Sequence, residues 1–150
     1  MSQSFASIHL HILFSTKDRE PWIAAGLKQR LYDHIGETLR GSGCDLVAAG
    51  GMPDHVHLLV AVGRELSVAD VVRLVKSTSS RWIHDTFPEL AEFSWQVGYG
   101  AFAVGFASIA EVRRYIANQA ELHATQSFEE EYREFLRRHK IEWDERFLWE

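Results

Sequence analysis

The stretch "CDLVAAGGMPDHVHLLVAV", Cys44 to Val62, places two apolar runs on either side of Gly-Gly and Pro-Asp turn signals, which predicts a β-hairpin. In its second run His55 and His57 stand at i and i+2, so they share one face of the strand. Val56 and Leu58 point the other way, toward a core. Upstream, "SFASIHLHILFST" (4–16) alternates Ile8, Leu10, Ile12 and Phe14 with Ser7, His9, His11 and Leu13, the pattern of another strand. Between the two, "PWIAAGLKQRLYDHIGETLR" reads as a helix that begins at Pro21 and ends at Gly41 and Gly43. Downstream, Ser67 and Asp70 form a capping-box-like pair opening the helix in "SVADVVRLVKSTSSRWIHDTF", with Val68, Val71, Val72, Val75, Trp82 and Ile83 on one stripe. "FSWQVGYGAFAVGFA" (93–107) is aromatic, β-branched and glycine-punctuated, a strand region with a bulge. Ser108 and Glu111 make an S-x-x-E box for one helix over "SIAEVRRYIANQAELH", and a last acidic helix runs from near Ser127 to about His139.

The resulting order, β-α-β-β-α-β followed by two helices, predicts an α+β fold. It is a ferredoxin-like βαββαβ antiparallel sheet with helices on one face, plus C-terminal helices, all in one domain over 1–150. A chain of 150 residues with 46% hydrophobic residues supports one full core without a staple. Its lone Cys44 rules out an internal disulfide and suits a reducing, cytoplasmic setting. Apolar runs stay well short of the 18 or so residues of a membrane span, and the N-terminal segment lacks a basic n-region and cleavage site, so neither membrane span nor signal peptide is predicted. A formal net charge of −5 argues against a protein basic all over. The charge is uneven, however: "VVRLVKSTSSRWI" (71–83) holds three basic residues and no acid.

Neighbouring neutral imidazoles can bind one metal ion if each has its other ring nitrogen held by an acceptor and a further ligand arrives from elsewhere. His55 and His57 are such neighbours by spacing alone, and so are His9 and His11; two satisfied sheet histidines have the same spacing. Position separates the pairs slightly. His55 follows a turn, where a site can open to solvent, whereas His9 lies within its strand, and the first pair reads as packing or hydrogen bonding. On the helix opened by Ser108, Ile109, Val112, Ile116 and Ala120 form the apolar stripe, and Tyr115 and Gln119 are neighbours on its flank. A tyrosine beside an amide can put a nucleophile next to an oxygen ligand; a half-buried Tyr and a surface Gln have the same pattern.

Together, "PDHVHLLV" and the later "YIANQ" closely resemble the single-tyrosine HUH transposases of small prokaryotic insertion sequences, including relatives associated with repetitive extragenic palindromes. "HILFSTKDREPWI", "LVKSTSSRWI", "WQVGYGAFAVG" and "SFEEEYREFLRRHKIEWDERFLW" resemble family segments in family order, so the similarity covers nearly the whole chain. The resemblance implies that His55, His57 and Gln119 ligate Mg²⁺ or Mn²⁺ and that Tyr115 is the nucleophile. It implies cleavage and rejoining of single-stranded DNA beside hairpins through a 5′-phosphotyrosine, without ATP, by a homodimer with active sites completed in trans. His9 and His11 have no role in the family pattern. Arg73, Lys76 and Arg81, opposite the apolar stripe of their helix, are the candidate phosphate contacts, with Lys17 and Arg19 after the first strand as further candidates. Competing readings are a domesticated, non-cutting DNA-hairpin binder, a repeat-processing relative, and a metal-dependent hydrolase in which water attacks and Tyr115 is incidental.

Overall fold

A computed structural model describes residues 2–150. Four strands, β1 (His9–Ser15), β2 (Asp45–Met52), β3 (His55–Ala61) and β4 (Gly100–Val104), form one sheet in the order β2-β3-β1-β4. Every neighbouring pair is antiparallel. The longer helices are α1 (Ala25–Gly41), α2 (Val68–Thr86), α3 (Ile109–Ala117) and α5 (Phe128–Arg138), with a four-residue α4 (Gln119–Leu122). This is the ferredoxin-like arrangement expected from the sequence.

Strand parity divides the molecule into layers. Leu10, Ile12 and Phe14 of β1 and Val56, Leu58 and Val60 of β3 pack with Leu31, Ile35 and Leu39 of α1 and Val71, Val72 and Val75 of α2. The opposite face of β1 presents Leu13, which joins Phe102 of β4 and Phe128, Tyr132 and Leu136 of α5 in a second cluster. His11, His55 and His57 share that second face, between the sheet and the C-terminal helices. Hydrophobic alternation therefore aims the histidines: burying Val56 and Leu58 under α1 and α2 forces their neighbours toward α3–α5.

Four local expectations are corrected. The hairpin turn is Pro53–Asp54 alone, because Gly50 and Gly51 remain paired in β2, opposite His57 and Val56. Helix α1 starts at Ala25 rather than Pro21, since buried Ile23 is tied by its N–H to the Pro53 carbonyl at 3.0 Å, and Ala24 is extended. Ser67 and Asp70 form both halves of a capping box on α2, but Ser108 caps nothing. Ser108 ends a 3₁₀ turn at φ −101°, ψ 0°, outside the extended conformation that an N-cap side chain needs, whereas Ser67 sits at φ −79°, ψ 165°. Finally, the single helix expected over 108–123 is broken at Asn118, whose N–H bonds both Arg114 and Tyr115 carbonyls.

Candidate metal and nucleophile site

His55 and His57 are fully buried on β3, and Gln119 at the start of α4 is buried against them. Gln119 Oε1 lies 2.9 Å from His55 Nε2. The break at Asn118 accompanies this contact: tertiary hydrogen bonds of Gln119 win over continuation of α3. Tyr115, from the last turn of α3, is half-buried with its ring centroid 5.8 Å from that of His57. The structure thus brings His55, His57, Tyr115 and Gln119 together within one chain.

Three further side chains complete the cluster. Glu131 of α5 accepts on Oε2 from the Tyr115 hydroxyl and from Gln119 Nε2 at 3.0 Å. Its Oε1 lies 3.0 Å from His57 Nε2. His123 Nε2 is 3.0 Å from Gln119 Oε1 and 3.1 Å from Glu131 Oε1. On the far side of His57, Nδ1 meets His11 Nε2 at 2.7 Å. His11 therefore has the hydrogen-bonding role expected of it, and its partner is a candidate ligand.

Accounting for hydrogens shows what this arrangement suits. His55 Nδ1–H donates to the Asp54 carboxylate at 2.7 Å, and His123 Nδ1–H donates to the Gln126 carbonyl at 2.6 Å. In a neutral ring each Nε2 then carries only a lone pair. Because the Gln119 amide nitrogen is engaged by Glu131, the oxygen of Gln119 faces these imidazoles. Lone pairs of His55, His123, Gln119 and Glu131 therefore converge without hydrogens to share. A cation among them turns that mutual repulsion into attraction, and rings held by Nδ1–H to a carboxylate or carbonyl are the usual form of metal-ligating histidine. Ligand atoms of His55, His57, His123 and Glu131 all lie within 4.8 Å of one another. The residues present fit a divalent ion.

Burial pushes His11 down to about 3, helped by the neighbouring His57, and burial likewise pushes His57 below its ordinary range. Burial raises the Tyr115 hydroxyl, as do the hydrogen bond and charge of Glu131. Burial alone would raise Glu131, but hydrogen bonds from His57, Tyr115 and Gln119 hold its carboxyl below the usual range. For His11 and His57 the folded state prefers the neutral ring. The unfolded chain therefore binds more protons below about 6.5, and stability is lost as pH falls through that range. Glu131 adds a loss of the same sign below 4.5. Metal-free protein is expected to unfold at progressively lower urea concentration from about pH 7 to about pH 5, by up to ~1.4 kcal/mol per pH unit for each unequal proton. An unchanged urea midpoint over that interval would show that the buried rings exert no such effect.

The candidate phosphate contacts are dispersed. Arg73 is exposed and paired with Asp70, and Arg81 is exposed; both lie on α2, across the sheet from the histidines. Lys76 is used internally: its Nζ donates to the carbonyls of Gln96, Val97 and Gly98 at 2.7, 3.1 and 2.6 Å, and burial lowers its pKa to about 8. Lys17 is exposed on the 3₁₀ turn after β1. Arg19 is nearest the site. It lies 3.7 Å from Glu129 and borders, with Asp54, His123, Gln126 and Phe128, a cavity of about 450 Å³. That cavity is the solvent-facing side of a centre whose His55 is itself sealed, contrary to the exposure expected from its place beside the turn.

His123, Glu131, Asp54 and His11 were not singled out as site residues from sequence. Asp54 and His123 carried a signal, the first preceding the H-x-H pair and the second standing four residues beyond Gln119. Glu131 carried none, being one of three consecutive glutamates in an acidic helix.

The fold and the site together define a chain whose ferredoxin-like antiparallel sheet carries a buried H-x-H pair beside a helix-borne tyrosine and glutamine. Residues 4–119 match the family described as Transposase IS200 like, and the chain belongs to that family. It is 25% identical over 117 residues to the ISDra2 transposase TnpA of Deinococcus radiodurans, covering 75% of this chain and 84% of the relative. A crystal structure of a candidate transposase from D. radiodurans R1 superposes with a TM-score of 0.64 at 27% identity, over 79% of this chain and 98% of the other. A REP-associated tyrosine transposase bound to a REP hairpin shares the fold, with a TM-score of 0.59 at 16% identity over 82% of this chain and 74% of that one.

Proposed function

We propose that this transposase cleaves and rejoins single-stranded DNA beside hairpins through a 5′-phosphotyrosine on Tyr115, with Mg²⁺ or Mn²⁺ held by His55, His57 and Gln119. The observation that carries this reading is the convergence of the Tyr115 hydroxyl and the His57 ring on the two oxygens of one carboxylate, Glu131. Nucleophile and ion site are thereby adjacent. The hairpin-bound structure of the distant REP-associated relative supports a hairpin as the partner.

A divalent cation, held by His55, His57 and Gln119, would supply charge neutralisation to the phosphate. The chain's own residues do the rest. The Tyr115 oxygen forms a bond to phosphorus as the bond from phosphorus to the 3′ oxygen breaks, leaving a 5′-phosphotyrosine and a free 3′-hydroxyl. One phosphoester replaces another, so reversal by an incoming 3′-hydroxyl needs no ATP. Asp54 and His11 hold the His55 and His57 rings. Arg19, on the cavity rim, is the phosphate contact best placed near the break, with Lys17, Arg73 and Arg81 serving strand segments farther away. Tyr115 reaches the histidines of its own chain, so a homodimer enters this reading as a means of pairing two cuts. Completion in trans would require exchange of the C-terminal helices.

The test is a denaturing gel of purified protein with 5′- and 3′-labelled hairpin oligonucleotides taken from the flanks of its own gene, with and without Mn²⁺. A covalent, denaturant-resistant adduct carrying the 3′-labelled fragment is expected, dependent on metal and reduced about 10³-fold or more in His57→Ala. Hairpin binding without any cleavage would instead establish the domesticated binder.

A further inference from the structure

Glu131 lies beyond the residues that match the family, at a place where the chemistry of the site converges. It is the buried carboxylate of the cluster, 2% exposed. Its Oε1 stands 3.0 Å from His57 Nε2, 3.1 Å from His123 Nε2 and 3.5 Å from His55 Nε2. Donors bound at about 2.1 Å around one octahedral ion lie about 3.0 Å from their neighbours. The contacts around Oε1 therefore have the spacing of adjacent ligands. The other oxygen faces away from the rings and holds the Tyr115 hydroxyl and the Gln119 amide. Helix α5 is fixed for this task. Phe128, Tyr132 and Leu136 bury one stripe against Leu13 and Phe102, and Ser127 caps the first turn by accepting from Glu130 N–H. A carboxylate buried this deeply without a cation is unfavourable, whereas beside a divalent ion it supplies charge that histidines and an amide cannot.

We infer that Glu131 is a direct ligand of the ion, joined by His123, and that its second oxygen aims the Tyr115 hydroxyl at the phosphate held there. The inference rests on the proposed metal-assisted reading and adds to it a ligand set specific to this chain's C-terminal region. Three imidazoles and one carboxylate favour a first-row transition ion over Mg²⁺. Glu131 is a positioning residue toward Tyr115 and a ligand toward the ion, so metal uptake and nucleophile aim are coupled through one side chain.

Mn²⁺ affinity, read from the signal of free Mn²⁺ in electron paramagnetic resonance, tests the ligand role without DNA or turnover. Wild type, Glu131→Gln, Glu131→Asp, His123→Ala and His57→Ala are compared after circular dichroism of each metal-free protein has shown native secondary structure. Glu131→Gln is expected to weaken Mn²⁺ about 10- to 100-fold or more, His123→Ala similarly, and Glu131→Asp less, since it keeps the charge. Glu131→Gln binding Mn²⁺ within twofold of wild type, while His57→Ala loses it, would overturn the ligand assignment and leave the proposed function intact. A wild type that takes up no Mn²⁺, and forms adduct equally well with chelator, would overturn both. The aiming role is read separately, as adduct rate at saturating Mn²⁺. A Glu131→Gln rate still reduced 10-fold or more supports it, and a rate restored to wild type sinks it.

Discussion

Tyr115→Phe is expected to abolish adduct and strand cleavage, by about 10⁴-fold or more, while leaving Mn²⁺ affinity within a few-fold of wild type. The substitution removes one oxygen and keeps the ring that lies edge-on to His57 and Phe135. Glu131 Oε2 retains its bond from Gln119 Nε2, so the carboxylate is not left unpaired. The stability change should stay within ~1–3 kcal/mol, the range for losing one buried hydrogen bond. Chemistry and scaffold are thus separable at this position, which makes it a direct test of nucleophile identity. In the resting site the hydroxyl is protonated, since burial and Glu131 both push its pKa up. In the proposed reaction its proton leaves as the bond to phosphorus forms.

The alternative is decided by the same gel. If a water molecule attacks, Tyr115→Phe cleaves at a rate near wild type and neither protein forms an adduct. That result would remove the phosphotyrosine from the mechanism and leave a metal-dependent nuclease on the same fold. A Tyr115→Phe protein that also loses Mn²⁺ binding would point to collapse of the α3–α5 layer, which circular dichroism and urea unfolding would register.

How much of this was legible in the residues depends on the range of the interaction. Strand parity is local, so the placement of His55 and His57 opposite Val56 and Leu58 could be read directly, and with it the sheet order implied by the element sequence. The hairpin turn was misplaced because Gly50 and Gly51 look like turn residues. Gly50 is glycine because α3 approaches it, which no local pattern records, whereas Gly51 sits at φ +154° against the backbone of His55 and Val56 in the same hairpin. The break at Asn118 was invisible for a related cause: neither Pro nor Gly marks it, and the contacts of Gln119 with His55 and Glu131 come from elements 64 and 12 residues away. Glu131 was hidden among acidic neighbours whose solvated appearance is correct for Glu129 and Glu130 but not for the buried residue that follows. Lys76 made the opposite impression, a basic residue on a polar helix face that turns out to hold the 96–98 carbonyls. Tyr115 and Gln119 were reached through the resemblance, not through spacing.

The second large effect is expected at Gly50, and it connects packing to catalysis. Gly50 pairs with His57 across β2 and β3. Helix α3 rests on it so closely that an added Cβ would stand 2.4 Å from the Ile116 carbonyl oxygen and 2.9 Å from Ile116 Cγ2. The obstructing oxygen is backbone, so no rotamer change relieves the clash. Ordinary contact begins at 3.4 Å, and α3 must retreat by about 1 Å. Ile116 follows Tyr115, hence the proposed nucleophile moves with it. Gly50→Ala is expected to reduce adduct formation about 10²-fold, the usual consequence of misplacing a reacting group by that distance, and to destabilise the protein by ~1–3 kcal/mol through overpacking. Backbone conformation does not confound the test, because Gly50 is not among the residues at positive φ. Gly26→Ala supplies a control of opposite sign. That glycine is inside α1 with nothing within 4 Å of the added carbon, so alanine should stabilise the helix by ~0.5–1 kcal/mol without changing activity. If Gly50→Ala formed adduct at the wild-type rate, α3 would have to tolerate displacement, and its contact with β2 would not be what positions Tyr115. If instead it lost activity and kept Mn²⁺ affinity near wild type, the ion site and the nucleophile would be held by different contacts: the ion by β3 and α5, the tyrosine by the bare surface of β2.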